Sequence, residues 1–182
     1  LLTLFGGDSS RLPDGWPKRP TWIVAVRTND GRRIVFGRDD VAGTVGQATQ
    51  ASAAIPAFYT PVRIGDRSYV DGALRSSTNA DLVATLGFAL VMISSVKTAT
   101  PDVRSWRSDP ERAWFSNKLD NELAEIRSTG TPAIVIEPDD TQLELLASGE
   151  RADACLAGRL AAERVLATSE GAGLRSIVEP AS

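Results

Sequence analysis

Ala51-Ser-Ala-Ala-Ile-Pro-Ala-Phe-Tyr-Thr-Pro-Val-Arg-Ile-Gly-Asp-Arg-Ser-Tyr-Val-Asp-Gly-Ala-Leu74 contains a helix end, a hairpin and an aspartate at a sharp exit. Thr44 is placed to cap a helix running to about Ala54, and Pro56 stops it. Val62-Arg-Ile64 and Ser68-Tyr-Val70 predict two paired strands around a Gly65-Asp66 turn. Asp71 follows the second strand and precedes a glycine, so its carboxylate falls at the rim of a sheet, where a rigid element can aim it. Gly72 allows the backbone to turn at once without a Cβ clash. The sequence has no histidine, which excludes a Ser-His-Asp triad, so hydrolytic chemistry at Asp71 needs a two-residue arrangement.

Upstream, Trp22-Ile-Val-Ala-Val-Arg-Thr28 and Arg33-Ile-Val-Phe36 flank Asn29-Asp-Gly31 and predict another hairpin. Residues 1–20 are crowded with glycine, proline, serine and aspartate and read as a loop or linker. Downstream the pattern changes to strands alternating with helices. A short helix is expected from about Asn79 to Leu86, a strand at Ala89-Leu-Val-Met-Ile93, and a long helix between Asp109-Pro110 and Gly130 with Phe115, Leu119, Leu123 and Ile126 on one face. A further strand follows at Ala133-Ile-Val-Ile136. An alanine-rich helix spans Arg151 to Thr168, with Leu156, Leu160 and Val165 or Leu166 turned inward, and residues 171–182 read as a frayed tail. This order implies an α/β protein whose second half holds a buried, largely parallel sheet.

With 182 residues, 42% of them apolar, the chain is long enough for one sizeable core, and a single domain is expected. A formal charge of −3 gives no electrostatic footprint for nucleic acid. The single cysteine, Cys155, cannot form an internal disulfide, and without histidine a zinc site lacks its usual ligands. No metal or cofactor is expected, and a reducing, cytoplasmic compartment fits best. Leu1-Leu-Thr-Leu-Phe5 lacks the basic flank and cleavage pattern of a signal peptide. It reads as a start inside a larger protein.

The Ala-Ile-Pro at 54–56, Phe58-x-x-Pro61, and Gly-x-x-x-Tyr-Val-Asp-Gly from 65 to 72 together resemble the C-terminal catalytic half of bacterial patatin-like phospholipases. Arg32-Arg-Ile-Val-Phe-Gly37, Thr78-Asn-Ala-Asp-Leu82 and Gly130-Thr-Pro-x-x-Val135 extend the resemblance from about Trp22 to Leu160. It implies a three-layer α/β/α fold, incomplete on its N-terminal side, with residues 1–182 forming the C-terminal portion of one catalytic domain. It also implies that Asp71, in Asp71-Gly72-Ala73, partners a serine in a Ser-Asp dyad acting on lipid esters. Peripheral membrane contact is compatible with such a substrate. The family's Gly-x-Ser-x-Gly elbow and glycine-rich oxyanion loop are absent from the 182 residues. Ala167-Thr-Ser-Glu-Gly171 lacks the first glycine and lies at a helix end, so Ser169 does not match the nucleophile. The segment alone is therefore expected to be inactive and to need the half that bears Gly-x-Ser-x-Gly.

Each of these features also has a plainer reading. Asp-Gly by itself is a turn. Ser52 and Asn79 are placed to face the same cleft as Asp71, yet capping or packing accounts for both, and Asn79 is kept only as a candidate for orienting the loop that carries Asp71. Asp39-Asp40 and Asp139-Asp140 each precede a predicted helix, where carboxylates favour the N-terminal dipole. Trp16 and the Phe58-Tyr59 pair are either lipid-facing aromatics or anchors buried under loops. Cys155 reads as a small packing residue. The rival function is a non-catalytic module of the same fold that binds a lipid or a protein. A nucleotide-binding module is set aside for want of a glycine-rich strand-to-helix turn.

Overall fold

A computed structural model describes residues 15–98 and 110–168. Leu1–Phe5, Asp109, Ser169 and the 171–182 tail lie outside the described residues, as does most of the 1–20 loop. Residues 15–20 form neither helix nor strand, as expected of that loop. The protein is a mixed α/β chain that divides into two units, Leu1–Asn79 and Ala80–Ser182.

The first unit contains β1 (Ile23–Arg27), β2 (Arg33–Phe36), α1 (Val45–Ser52), β3 (Val62–Ile64) and β4 (Arg67–Asp71). The two expected hairpins join into one antiparallel sheet of order β2-β1-β4-β3. Residues two apart on a strand share a face, and Ala25, Ile34, Phe36, Ile64 and Tyr69 pack with Ala48 and Ala51 of α1. Alanines on the inner side of α1 let the helix lie close to the sheet. Tyr69, 2% exposed, meets Phe36 edge-on at 5.2 Å, a contact worth about 1 kcal/mol beyond burial alone. Thr44 closes a capping box with Gln47 at the start of α1, which satisfies two backbone donors that the first turn leaves open. The helix ends at Ser52, slightly short of the expected Ala54.

The β1–β2 connection is pinned by Asp30. The hydrogen bond from the Arg27 guanidinium, followed by one from the Arg32 N–H, holds its carboxyl down at about 2. Asp39 does not cap a helix, contrary to the sequence expectation. Its carboxylate accepts from Val35 N–H at 2.9 Å and from Arg38, closing the chain's exit from β2 five residues before the true cap, Thr44. Burial pushes the Asp39 carboxyl up, but these hydrogen bonds prevail and its pKa is lowered. Trp16 takes the anchor reading: partly buried, it packs on the core and its Nε1 donates to Gly43 O. Phe58 and Tyr59 are instead exposed, at 81% and 55%.

In the second unit, β5 (Val91–Ser94) pairs in parallel with β6 (Ala133–Ile136). Phe115, Leu119, Leu123 and Ile126 form the buried stripe of α2 (Pro110–Ser128), as their spacing predicts. The last three of these pack with Val91, Ile93, Ala133, Ala80 and Ala84. The helix expected from Asn79 to Leu86 is a single 3-10 turn, Ala80–Val83. Its first amide, Ala80 N–H, donates to the buried Glu122 carboxylate at 3.0 Å. Asp139 caps α3 (Asp140–Ala147) through a capping box with Gln142, as its position suggests. In α4 (Arg151–Leu166) the buried stripe is Ala157 and Ala161. At 100° per residue this turns Cys155 to the far side of the helix, where it is exposed, and leaves Leu156 36% exposed. Packing of Cys155 and an inward Leu156 are thus both overturned. Among the described residues, no helix is long and apolar enough to cross a membrane.

Candidate functional site

β4 runs one residue past Val70, so Asp71 is itself part of the ladder, opposite Ala25 of β1. Being two residues from Tyr69, it shares the α1-facing side of the sheet, beyond the C-terminal end of that helix. The Asp71 N–H donates to Ala54 O at 3.0 Å, tying the strand end to the turn that leaves α1. On the carboxylate, Oδ1 accepts from Ala73 N–H at 2.7 Å and caps the 3-10 turn Gly72–Leu74. Among the described residues, Oδ2 accepts no hydrogen bond. The turn reading and the functional reading are therefore compatible, since one oxygen serves the backbone and the other is open.

Gly72 is required for a reason the sequence did not disclose. A Cβ there would lie 2.4 Å from Val24 O and 2.9 Å from Val24 C, inside the backbone of the neighbouring strand. The constraint is close approach to β1, and it keeps the exit from Asp71 pressed against the sheet.

A cleft of about 400 Å³ opens at this point, lined by Asp71, Gly72, Ala73, Trp22, Val24, Ser52, Ser76, Ser77, Thr78 and Asn79 among others. Ser52 and Asn79 thus line the same cleft as Asp71, as the sequence suggested. The Ser52 side chain makes no hydrogen bond among the described residues, so capping does not account for it. Asn79 is 8% exposed and adopts φ 50, a left-handed conformation that asparagine tolerates better than most residues. Its side chain serves the loop rather than the 3-10 turn after it: Nδ2 donates to Ser76 O at 2.6 Å, and Oδ1 accepts from Arg33 Nη1 at 3.2 Å.

Ser76 Oγ accepts from both Thr78 N–H and Asn79 N–H. Ser77 Oγ is buried in the cleft wall with no hydrogen-bond partner among the described residues, an arrangement that costs about 1–3 kcal/mol. Ser76, Ser77 and the Arg33 contact were not singled out from sequence, although a run of three hydroxyl residues before Asn79 is the composition of a loop stapled by its own side chains. Among the described residues, no group of three or more acidic or cysteine side chains is placed to hold a metal.

The cleft therefore joins a carboxylate with one open oxygen to a wall of hydroxyls and an amide, which suits acceptance of a proton from a hydroxyl brought to Oδ2. The match to known families covers this region and stops short of the Gly130–Val135 motif. Residues 10–84, which include Asp71 and every named residue of its cleft, match the family model of Patatin-like phospholipase, and the chain is similar to that family over this stretch.

Proposed function

We propose that this chain is the C-terminal portion of a lipid acyl hydrolase and that Asp71 is the base of a Ser-Asp dyad. The reading rests on one observation above all: Asp71 is fixed by the β-ladder and by Ala73 N–H through one oxygen, while among the described residues nothing donates to its other oxygen. In this reading residues 1–182 are part of a single three-layer α/β/α domain. The serine comes from a Gly-x-Ser-x-Gly segment outside these residues, together with backbone donors for the oxyanion.

Asp71 takes the serine proton as the hydroxyl oxygen attacks the ester carbonyl, then passes it to the departing alcohol. Water attacks the acyl-serine in the second half, with Asp71 again accepting a proton and the serine recovering its own. Gly72 and Ala73 hold the turn that sets the carboxylate. The segment by itself has a base and no nucleophile, and is inactive. Lipid esters are met at surfaces, and the exposed Phe58 and Tyr59 supply an apolar ring beside an amphipathic one of the kind that favours such interfaces.

The test is Asp71→Asn in the protein that includes the serine-bearing segment. Asparagine keeps an oxygen for Ala73 N–H but cannot act as the base, so ester hydrolysis and fluorophosphonate labelling are expected to be abolished with the circular dichroism spectrum retained. Unchanged turnover would overturn the assignment. A polypeptide whose residues ahead of Leu1 hold no Gly-x-Ser-x-Gly would instead favour the binding-module reading.

A further inference from the structure

We infer that Arg33 and Asn79 form a clamp that positions the Asp71 carboxylate, acting from the far end of the loop that leaves it. The loop starts at Asp71 and is closed eight residues later by Asn79. A continuous series of hydrogen bonds joins the two ends. Arg33 Nη1 donates to Asn79 Oδ1 at 3.2 Å, Asn79 Nδ2 donates to Ser76 O at 2.6 Å, Ser76 N–H donates to Gly72 O at 3.4 Å, and Ala73 N–H donates to Asp71 Oδ1 at 2.7 Å. Every link after the first lies within the loop, so the loop is held to the sheet at both ends: by Asp71 in β4 and by Arg33 in β2.

The register makes this reach possible. Arg33 is opposite Val26, and Val26 is opposite Val70, so Arg33 stands two strands away, about 10 Å, in the row next to Asp71. Neighbouring rows present opposite faces of the sheet, so Arg33 leaves the face away from α1, and its long side chain reaches Asn79 at the end of the loop rather than Asp71 itself. The guanidinium also makes the bond charge-assisted and directional. Asn79 suits the other end because it can hold the left-handed backbone, φ 50, while supplying both a donor and an acceptor. Both act on the carboxylate through the loop and its Ala73 amide, so both are positioning residues.

The first test needs no catalytic assay and uses this chain. Asn79→Gly tolerates the backbone angle and removes both side-chain bonds, and Arg33→Met removes the donor. Each is expected to speed amide exchange at Ala73 at least tenfold, with exchange at Ala25 and Val35 in the sheet unchanged. Arg33→Lys should restore part of the protection, and Asn79→Gly combined with Arg33→Met should be no faster than Asn79→Gly alone. Ala73 exchange at the wild-type rate in both single variants, with the sheet amides intact, overturns the inference. Should Asn79→Gly fail to fold, Arg33→Met and Arg33→Lys decide the matter.

A second arm rests on the reading of Asp71 as the base and uses the serine-bearing protein. There the same variants should lower kcat tenfold or more with KM little changed. A loss that appears only in KM would overturn the positioning role. The two readings fail separately. If Asp71→Asn leaves hydrolysis intact while Ala73 exchange responds as expected, the dyad falls and the clamp stands; the opposite pair of results removes the clamp and leaves the dyad.

Discussion

Gly72 and Val24 meet backbone to backbone, with the position of a Cβ at residue 72 only 2.4 Å from the Val24 carbonyl oxygen. No side-chain rotation relieves a contact of that kind. Gly72→Ala is therefore expected to push the exit of β4 away from β1 and to destabilise the first unit by about 1–3 kcal/mol. Urea unfolding of the two chains measures this. An equal midpoint would mean that β1 yields without penalty.

The β1–β2 connection supplies a pH dependence. Asp30 has its carboxyl lowered to about 2 by Arg27 and the Arg32 amide, and Asp39 is lowered as well. A carboxyl whose folded value is depressed contributes its full stabilisation above the ordinary value of ~3.9. That contribution is lost as pH falls through the folded value. Wild type should thus lose stability between about pH 4 and pH 2 more steeply than Asp30→Asn, as read from unfolding midpoints at pH 5, 3 and 2. Parallel curves would contradict the role assigned to Asp30.

Glu122 offers a test in the second unit. It is 6% exposed and accepts the Ala80 N–H. Glu122→Ala should cost about 1–3 kcal/mol, because a buried donor loses its acceptor. Glu122→Gln should cost less, since an amide oxygen can still accept. Equal losses in both variants would show that charge, not acceptance of the Ala80 proton, is what matters.

Replacing Phe58 and Tyr59 together by serine should change stability by less than about 0.5 kcal/mol, as both lie on the surface. If the pair meets lipid, the doubly substituted chain should no longer sediment with phosphatidylcholine vesicles that retain the wild type. Equal retention would remove these two residues from any lipid contact.

Local signals were legible where the physics is local. Ala133–Ile136 was bounded to the residue, and Thr44 and Asp139 were found as caps because a capping box spans only three residues. The stripe on α2 follows from helical spacing. Asp39 misled because a carboxylate ahead of a helix looks the same whether it serves the helix or the preceding strand, and Val35 N–H claims it. In α4, alanine is too small to stand out in an apolar pattern, yet Ala157 and Ala161 are the residues buried. In the cleft, Asp71 was accessible through its motif. Arg33 was not, because its bond to Asn79 crosses 46 positions, and nothing local at either end points to the other.

The pairing of Asp71 with Ala25, inside the ladder, links the accuracy of the site to that of the core. Tyr69 and Asp71 share one face, so a slip of β4 by a single residue would turn both away together. The site would lose its carboxylate at the moment the sheet lost Tyr69 from its contact with Phe36. A chain folded in the wrong register therefore reveals itself as an unstable chain. The same aromatic contact that consolidates the first unit also screens out copies in which the aspartate points the wrong way.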